Sequence, residues 1–179
     1  MNKNIVILAG SPRKVSSTDR LVAAFTEGAK GAGHNVTTFR VADMKIGGCL
    51  GCNHCFQETG ICVQKDDMQT ILDALRKADT LILASPIYYW GVTSQLKCVI
   101  DRTYALLKEG SSVKFAVLLM ACGDDTEAAG DPPIAMFRQI CAYMKWEEVG
   151  IIVAPRLNNP KDINGRLELD QAKQLGMKI

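Results

Sequence analysis

Lys3-Asn4-Ile5-Val6-Ile7-Leu8-Ala9-Gly10-Ser11-Pro12-Arg13-Lys14-Val15-Ser16-Ser17-Thr18 is the stretch on which the reading of the fold turns. Residues 3–10 form a nearly unbroken apolar run rich in β-branched side chains and closed by glycine, as in a strand buried on both faces. Residues 11–18 are polar, and from 18 to 30 apolar residues return at helical spacing as Leu21, Val22, Phe25 and Ala29, with Gly31 and Gly33 to stop the helix. Residues 35–41 alternate like a short strand. A strand, a helix and a strand in that order cross over right-handedly into a parallel sheet.

Working outward, the same unit recurs. Residues 66–78 place Met68, Ile71, Leu72 and Leu75 on one helical face, and residues 80–85 read as a central strand. The pattern predicts a helix over 94–107, a strand over 113–121, a helix over 132–144, a strand over 149–154 and a last helix over 170–175. Five strands alternating with helices define a doubly wound α/β fold: a three-layer sandwich with sheet order 2-1-3-4-5. The chain of 179 residues, 47% hydrophobic and 22% charged, is one domain's worth of material. Residues 43–65 stand out as an insertion that fits no element.

Several function classes are disfavoured by composition. The net charge is +2 and the basic residues are scattered, which is not the footprint of a nucleic-acid binder. No export-type segment and no apolar stretch of membrane-spanning length is read in the sequence, so the expected location is the cytoplasm, with no membrane partner. Seven cysteines in such a chain argue for metal binding or thiol chemistry over a disulfide framework.

In a doubly wound sheet ligands bind beyond the carboxyl ends of the strands. The loop after the first strand brings Ser11, Arg13, Ser16, Ser17 and Thr18 to a helix N-terminus, where backbone N–H groups and hydroxyls suit a phosphate monoester. The same residues would also serve as a helix cap with no ligand. The loop lacks the Gly-Lys-Ser/Thr of a nucleotide-hydrolysing phosphate loop and the G-x-G-x-x-G of dinucleotide sites. An acidic cluster at the end of the first strand, as a response regulator needs, is missing, and so is the loop cysteine of a small tyrosine phosphatase. After the third strand, Pro86-Ile87-Tyr88-Tyr89-Trp90-Gly91 sets three adjacent aromatics in a proline-fixed turn. Core packing would space them by two or three, so they read as a wall for a flat ring or as a subunit interface.

The insertion carries Cys49, Cys52, Cys55 and Cys62 as C-x2-C-x2-C-x6-C. Closely spaced thiolates of this kind wrap one face of an iron-sulfur cubane, whereas zinc sites more often use two separated C-x2-C knuckles. Structural or redox-active free thiols are the competing reading. His54 reads as a solvent-facing loop residue, and Cys98, Cys122 and Cys141 as thiols in or beside core elements.

Gly10-Ser11-Pro12-Arg13 with Thr18, Asp66-Asp67-Met68, Ser85-Pro86-Ile87-Tyr88 with Gly91, Gln95-Leu96-Lys97 and Ile100-Asp101-Arg102 occur in order along nearly the whole chain. In these motifs the sequence resembles the NADPH-dependent FMN reductase and iron-sulfur flavoprotein family of the flavodoxin-like superfamily. The resemblance implies that Ser11, Arg13, Ser16, Ser17 and Thr18 hold the FMN phosphate. It implies that residues 86–91 (Pro86, Ile87, Tyr88, Tyr89, Trp90, Gly91) flank the ring, with Cys122 and Gly123 completing the pocket. Relatives often have Asn-Gly-Asn where this chain has Val15-Ser16-Ser17. No catalytic side chain is named, because the flavin carries the chemistry. The expected function is an oxidoreductase that passes electrons from transiently bound NAD(P)H through FMN to a quinone, flavin, nitro compound or small electron carrier. The alternative is a non-enzymatic electron-transfer protein in which FMN and a [4Fe-4S] cluster on Cys49, Cys52, Cys55 and Cys62 exchange electrons with ferredoxin-like partners. A homodimer or homotetramer is expected.

Overall fold

A computed structural model describes residues 2–179. Five parallel strands, β1 (Asn4–Ala9), β2 (Asn35–Arg40), β3 (Thr80–Pro86), β4 (Phe115–Ala121) and β5 (Glu147–Ala154), form one sheet in the order β2-β1-β3-β4-β5. The order expected from the alternation of strands and helices is the one found.

Side-chain alternation along each strand divides the core into two layers. Val6 and Leu8 of β1, Leu81 and Leu83 of β3 and Leu118 of β4 face α2 (Met68–Arg76), α3 (Ser94–Arg102) and α5 (Asp131–Met144), where they meet Ile71, Leu96 and Phe137. Ile5 and Ile7, Ile82, and Val117 and Leu119 point the other way, onto Leu21 and Phe25 of α1 (Ser17–Gly31) and Ala172 of α6 (Leu167–Lys178). The three central strands are covered on both faces, which explains their unbroken apolar sequences.

Helices α1 and α6 cross in unusually close approach. A methyl group at Gly28 would strike the Lys173 carbonyl, and one at Gly176 would strike the Phe25 carbonyl. Glycine at both positions is what lets the two backbones touch.

Several elements differ from the sequence reading: β4 begins at Phe115 and not at 113, and α2 covers Met68–Arg76 of the 66–78 expected. The helix expected over 94–107 ends at Arg102, continues as a 3-10 turn Thr103–Ala105 and resumes as α4 (Leu106–Glu109). The Thr103 hydroxyl donates to the Ile100 carbonyl at 2.7 Å, a back-bond that bends helices. Strand β5 begins two residues early, at Glu147 and Glu148, exposed acids that apolar periodicity cannot find and that guard an edge strand. Helix α6 is twice as long as the segment read in the sequence, since its first turn carries the exposed Leu167 and the acidic Glu168 and Asp170. Within the insertion, Cys55–Thr59 forms a π-helical turn, closed by the Gly60 N–H donating to the Cys55 carbonyl at 2.8 Å.

The ladder continues past the strand ends and fixes the loops at the carboxyl edge. Gly10 donates to the Ala84 carbonyl at 2.7 Å, Ile87 to Ala121 at 2.9 Å, and Cys122 to Ala154 at 3.0 Å. None of the described helices is long and apolar enough to cross a membrane.

Candidate functional site

The loop between β1 and α1 is built around its own hydroxyls. Ser16 is the N-cap of α1: its Oγ accepts from the Asp19 N–H at 3.1 Å and donates to the Asp19 carboxylate at 2.8 Å. Ser11 Oγ accepts from the Arg13 N–H at 3.3 Å. Ser11, Ser16, Ser17 and Thr18 are all buried although polar. Buried hydroxyls clustered where the helix dipole is positive favour an anion. Arg40, at the end of β2, holds the loop from outside by pairing with Asp19 at 2.6 Å and donating to the Arg13 carbonyl at 2.9 Å. No local sequence pattern marks it, because both contacts span more than twenty residues.

Two adjoining cavities open from this loop. The first, about 180 Å3, is walled by Ser11, Arg13, Ser16, Ser17, Thr18, Pro86, Ile87, Tyr88, Cys122 and Gly123, with Leu157 and Asn158 behind them. The second, about 310 Å3, lies between Ile87, Tyr89, Trp90, Cys122, Gly123, Asp124 and Ala129. Ile87, Cys122 and Gly123 belong to both. A polar compartment at the helix N-terminus thus runs into one walled by aromatics. Asn158 is a further wall residue that no motif announced. A Cβ at Gly123 would lie 2.9 Å from its Oδ1, so the glycine keeps the backbone open to that amide.

The aromatic turn is strained. Tyr89 and Trp90 have φ of 48° and 58°, while Tyr88 and Gly91 exchange N–H···O bonds of 3.0 and 3.1 Å around them. Consecutive bulky residues at positive φ are rare, and such strain persists at functional sites. The turn leaves Tyr89 97% exposed and Trp90 60% exposed at the rim of the second cavity. Gly91 closes the turn and lines neither cavity.

A phosphate-bearing ligand with a planar ring fits this shape, its anion at the buried hydroxyls and its ring against residues 87–90. Burial pushes the Cys122 thiol above its ordinary value, so the sulfur at the junction of the two cavities is a neutral wall.

A second constellation lies in the insertion. Cys49, Cys52, Cys55 and Cys62 line one cavity of about 220 Å3 together with Leu50, Val63 and Tyr104, and all four are free thiols. Gly51 and Asn53, both at positive φ, curl the chain around it, and the Gly51 N–H donates to Cys49 Sγ at 3.5 Å. Burial, together with the neighbouring Cys62, Cys49 and Cys52 sulfurs, pushes the Cys55 thiol up. Among the described residues, no three His, Cys, Asp or Glu side chains converge closely enough to hold a single metal ion. The four sulfurs line one cavity without meeting at a point. His54 turns away toward Glu58, at 3.7 Å.

The neck of this insertion is gathered on Arg102. Its guanidinium donates to both carboxylate oxygens of Asp66, at 2.5 and 2.8 Å, to the Gly47 carbonyl at 3.2 Å and to Cys62 Sγ at 3.4 Å. Arg102 holds the Asp66 carboxyl below the usual carboxylate range.

The sequence model of one family, described as NADPH-dependent FMN reductase, matches residues 3–156. An iron-sulfur flavoprotein of Archaeoglobus fulgidus is 38% identical over 95 residues, 53% of this chain and 43% of that protein. One from Methanocaldococcus jannaschii is 33% identical over 129 residues, 72% of this chain and 65% of that protein. The chain spans about half the length of the curated relatives it matches. Among solved structures, an NAD(P)H:quinone oxidoreductase from Methanothermobacter marburgensis superposes with a TM-score of 0.80 at 21% identity, over 99% of this chain and 96% of its own. That likeness supports the fold, while the family model also spans both loops of the first site. On those matched residues, this chain belongs to the NADPH-dependent FMN reductase family.

Proposed function

We propose that the protein is an FMN-dependent oxidoreductase that takes electrons from NAD(P)H and delivers them to a quinone, a flavin, a nitro compound or a small electron carrier. The observation that carries this reading is the pair of joined cavities, polar at the N-terminus of α1 and aromatic beneath residues 87–90. Arg13 and the hydroxyls of Ser11, Ser17 and Thr18 bind the phosphate by charge-assisted hydrogen bonds, and Ser16, whose hydroxyl proton goes to Asp19, shapes that cradle as the cap of α1. Pro86, Ile87, Tyr88, Cys122 and Gly123 line the way to the ring. Tyr89 and Trp90, held outward by the strained turn, form an apolar rim that shields a stacked ring from water. When bound, FMN supplies the hydride and one-electron chemistry, so no side chain of this protein needs to act as acid or base. The nicotinamide docks transiently over the open side of the second cavity. The test is to add FMN to the purified chain: a flavin spectrum with a raised melting temperature, and NADPH oxidation dependent on that flavin, are expected. Absence of both rejects the reading.

A second reading rests on the cysteine pocket. Four free sulfurs around one cavity, and relatives named iron-sulfur flavoproteins, support a [4Fe-4S] cluster held by Cys49, Cys52, Cys55 and Cys62. Such a cluster supplies single-electron relay. In that case the protein exchanges electrons with ferredoxin-like partners. Anaerobic purification with iron and sulfide analysis decides it, fewer than about three irons per chain rejecting a cubane. A single-domain chain in the cytoplasm, whose reductants keep the thiols open, and a homodimer or homotetramer joined near the exposed Tyr89 and Trp90, complete the proposal.

A further inference from the structure

Arg102 is 3% exposed, and every side-chain hydrogen bond described for it reaches the insertion or its edge: Gly47 and Cys62 within it, and Asp66 just after it. None of these partners lines the two cavities beside α1. A buried cation is costly unless it is paired, and Asp66 compensates it. The pair leaves one Nη2 proton for a sulfur, and the sulfur it finds is Cys62, 3.4 Å away and 40 residues earlier in the chain.

The geometry points to Arg102 as a positioning residue that sets the reduction potential of the group bound by the cysteine pocket, acting through Cys62 with Asp66 as its counterweight. The inference rests on the cluster reading above. Reduction of a cubane adds one electron to the cluster and its thiolates and moves no proton at Cys62, so the site becomes more negative by one charge. A hydrogen bond and a fixed positive charge at a ligating sulfur favour the more negative state and raise the potential. The Asp66 carboxylate, on the far side of the same guanidinium, opposes that effect.

The two residues therefore act with opposite sign, which a purely structural role would not produce. The experiment is an anaerobic potentiometric titration of the cluster, with dithionite as electron source and EPR detection, on the wild-type protein carrying FMN and cluster and on R102Q, R102K and D66N. Bound FMN, read from its absorbance, reports that each variant is folded. The expected result is a potential lowered in R102Q, lowered less in R102K, which keeps the charge, and raised in D66N. Unchanged potentials, or shifts of the same sign in R102Q and D66N, overturn the assignment. Should the Arg102 variants bind FMN but no iron, the sign of the D66N shift decides. If none of the three holds iron, Arg102 is a strut and the assignment falls. A wild-type chain that takes up no iron and sulfide overturns the cluster reading and this inference together.

Discussion

The Thr93 hydroxyl donates to the Gly10 carbonyl at 2.7 Å, joining residues 83 apart and tying the head of α3 to the loop that opens α1. Thr93 is itself buried, its Oγ1 accepts from the Leu96 N–H at 3.3 Å, and its own N–H donates to Ser85 Oγ at 3.0 Å. Thr93→Val strands a buried carbonyl and removes a helix cap, so it is expected to cost about 2 kcal/mol. Urea unfolding of the flavin-free protein measures that loss. FMN affinity should fall with it, and Thr93→Ser should restore both.

Arg13→Ala is expected to weaken FMN about tenfold and to leave riboflavin almost untouched, because a charge-assisted contact to phosphate has no counterpart in the dephosphorylated ligand. Paired titrations by quenching of flavin fluorescence read the difference. Equal losses for the two ligands would place Arg13 elsewhere than at the phosphate.

At the strained turn, glycine accepts the positive φ that tyrosine and tryptophan tolerate poorly. Tyr89→Gly and Trp90→Gly should therefore leave the unfolding free energy within about 1 kcal/mol of the original while lowering FMN affinity. Tyr89→Val, β-branched at φ 48°, should instead lower stability by about 1–2 kcal/mol. Denaturant midpoints for the three variants make the comparison.

The Asp66 carboxyl is held down chiefly by the hydrogen bond from Arg102. A carboxyl whose folded value lies below its unfolded value of about 3.9 stabilises the fold above that pH and loses the contribution as pH falls through the folded value. Asp66→Asn is expected to cost about 3 kcal/mol near pH 7, and the gap to wild type should close on acidification below about pH 4. Urea midpoints measured from pH 7 down to pH 3 follow the closure.

Burial, with Glu148 as a lesser influence, pushes the Cys141 thiol up to about 11. At pH 8 only about one such thiol in a thousand is ionised. Native alkylation at pH 8 followed by peptide mass spectrometry should label the exposed Cys49 and Cys52 first and leave Cys141 and the buried Cys122 unmodified until the protein unfolds.

The strand order was legible because each central strand is an apolar run between turn residues, and five such runs leave few arrangements. Both loops of the first site were legible for a related reason: Ser11 to Thr18 and Pro86 to Gly91 are contiguous, and each takes its meaning from the strand before it. What stayed hidden depends on long-range contact. Arg40 and Asn158 reach the site across the fold. Arg102 was visible only as part of a motif, with nothing to say that it touches Cys62. The break after Arg102 turns on a single back-bond from Thr103, which helical periodicity does not register. The four cysteines were found by spacing, but their arrangement around a cavity is a property of the curled backbone at Gly51 and Asn53.

The glycine crossing of α1 and α6 also sets a schedule for synthesis. Helix α6 leaves the ribosome only after all five strands and α1, at roughly 5–20 residues per second. Until it does, the groove of α1 between Phe25 and Gly28 and the neighbouring flank of β5 lack their cover. The nascent chain thus presents a sticky ledge for the interval needed to translate α6, a stretch of time in which a chaperone has apolar surface to grip.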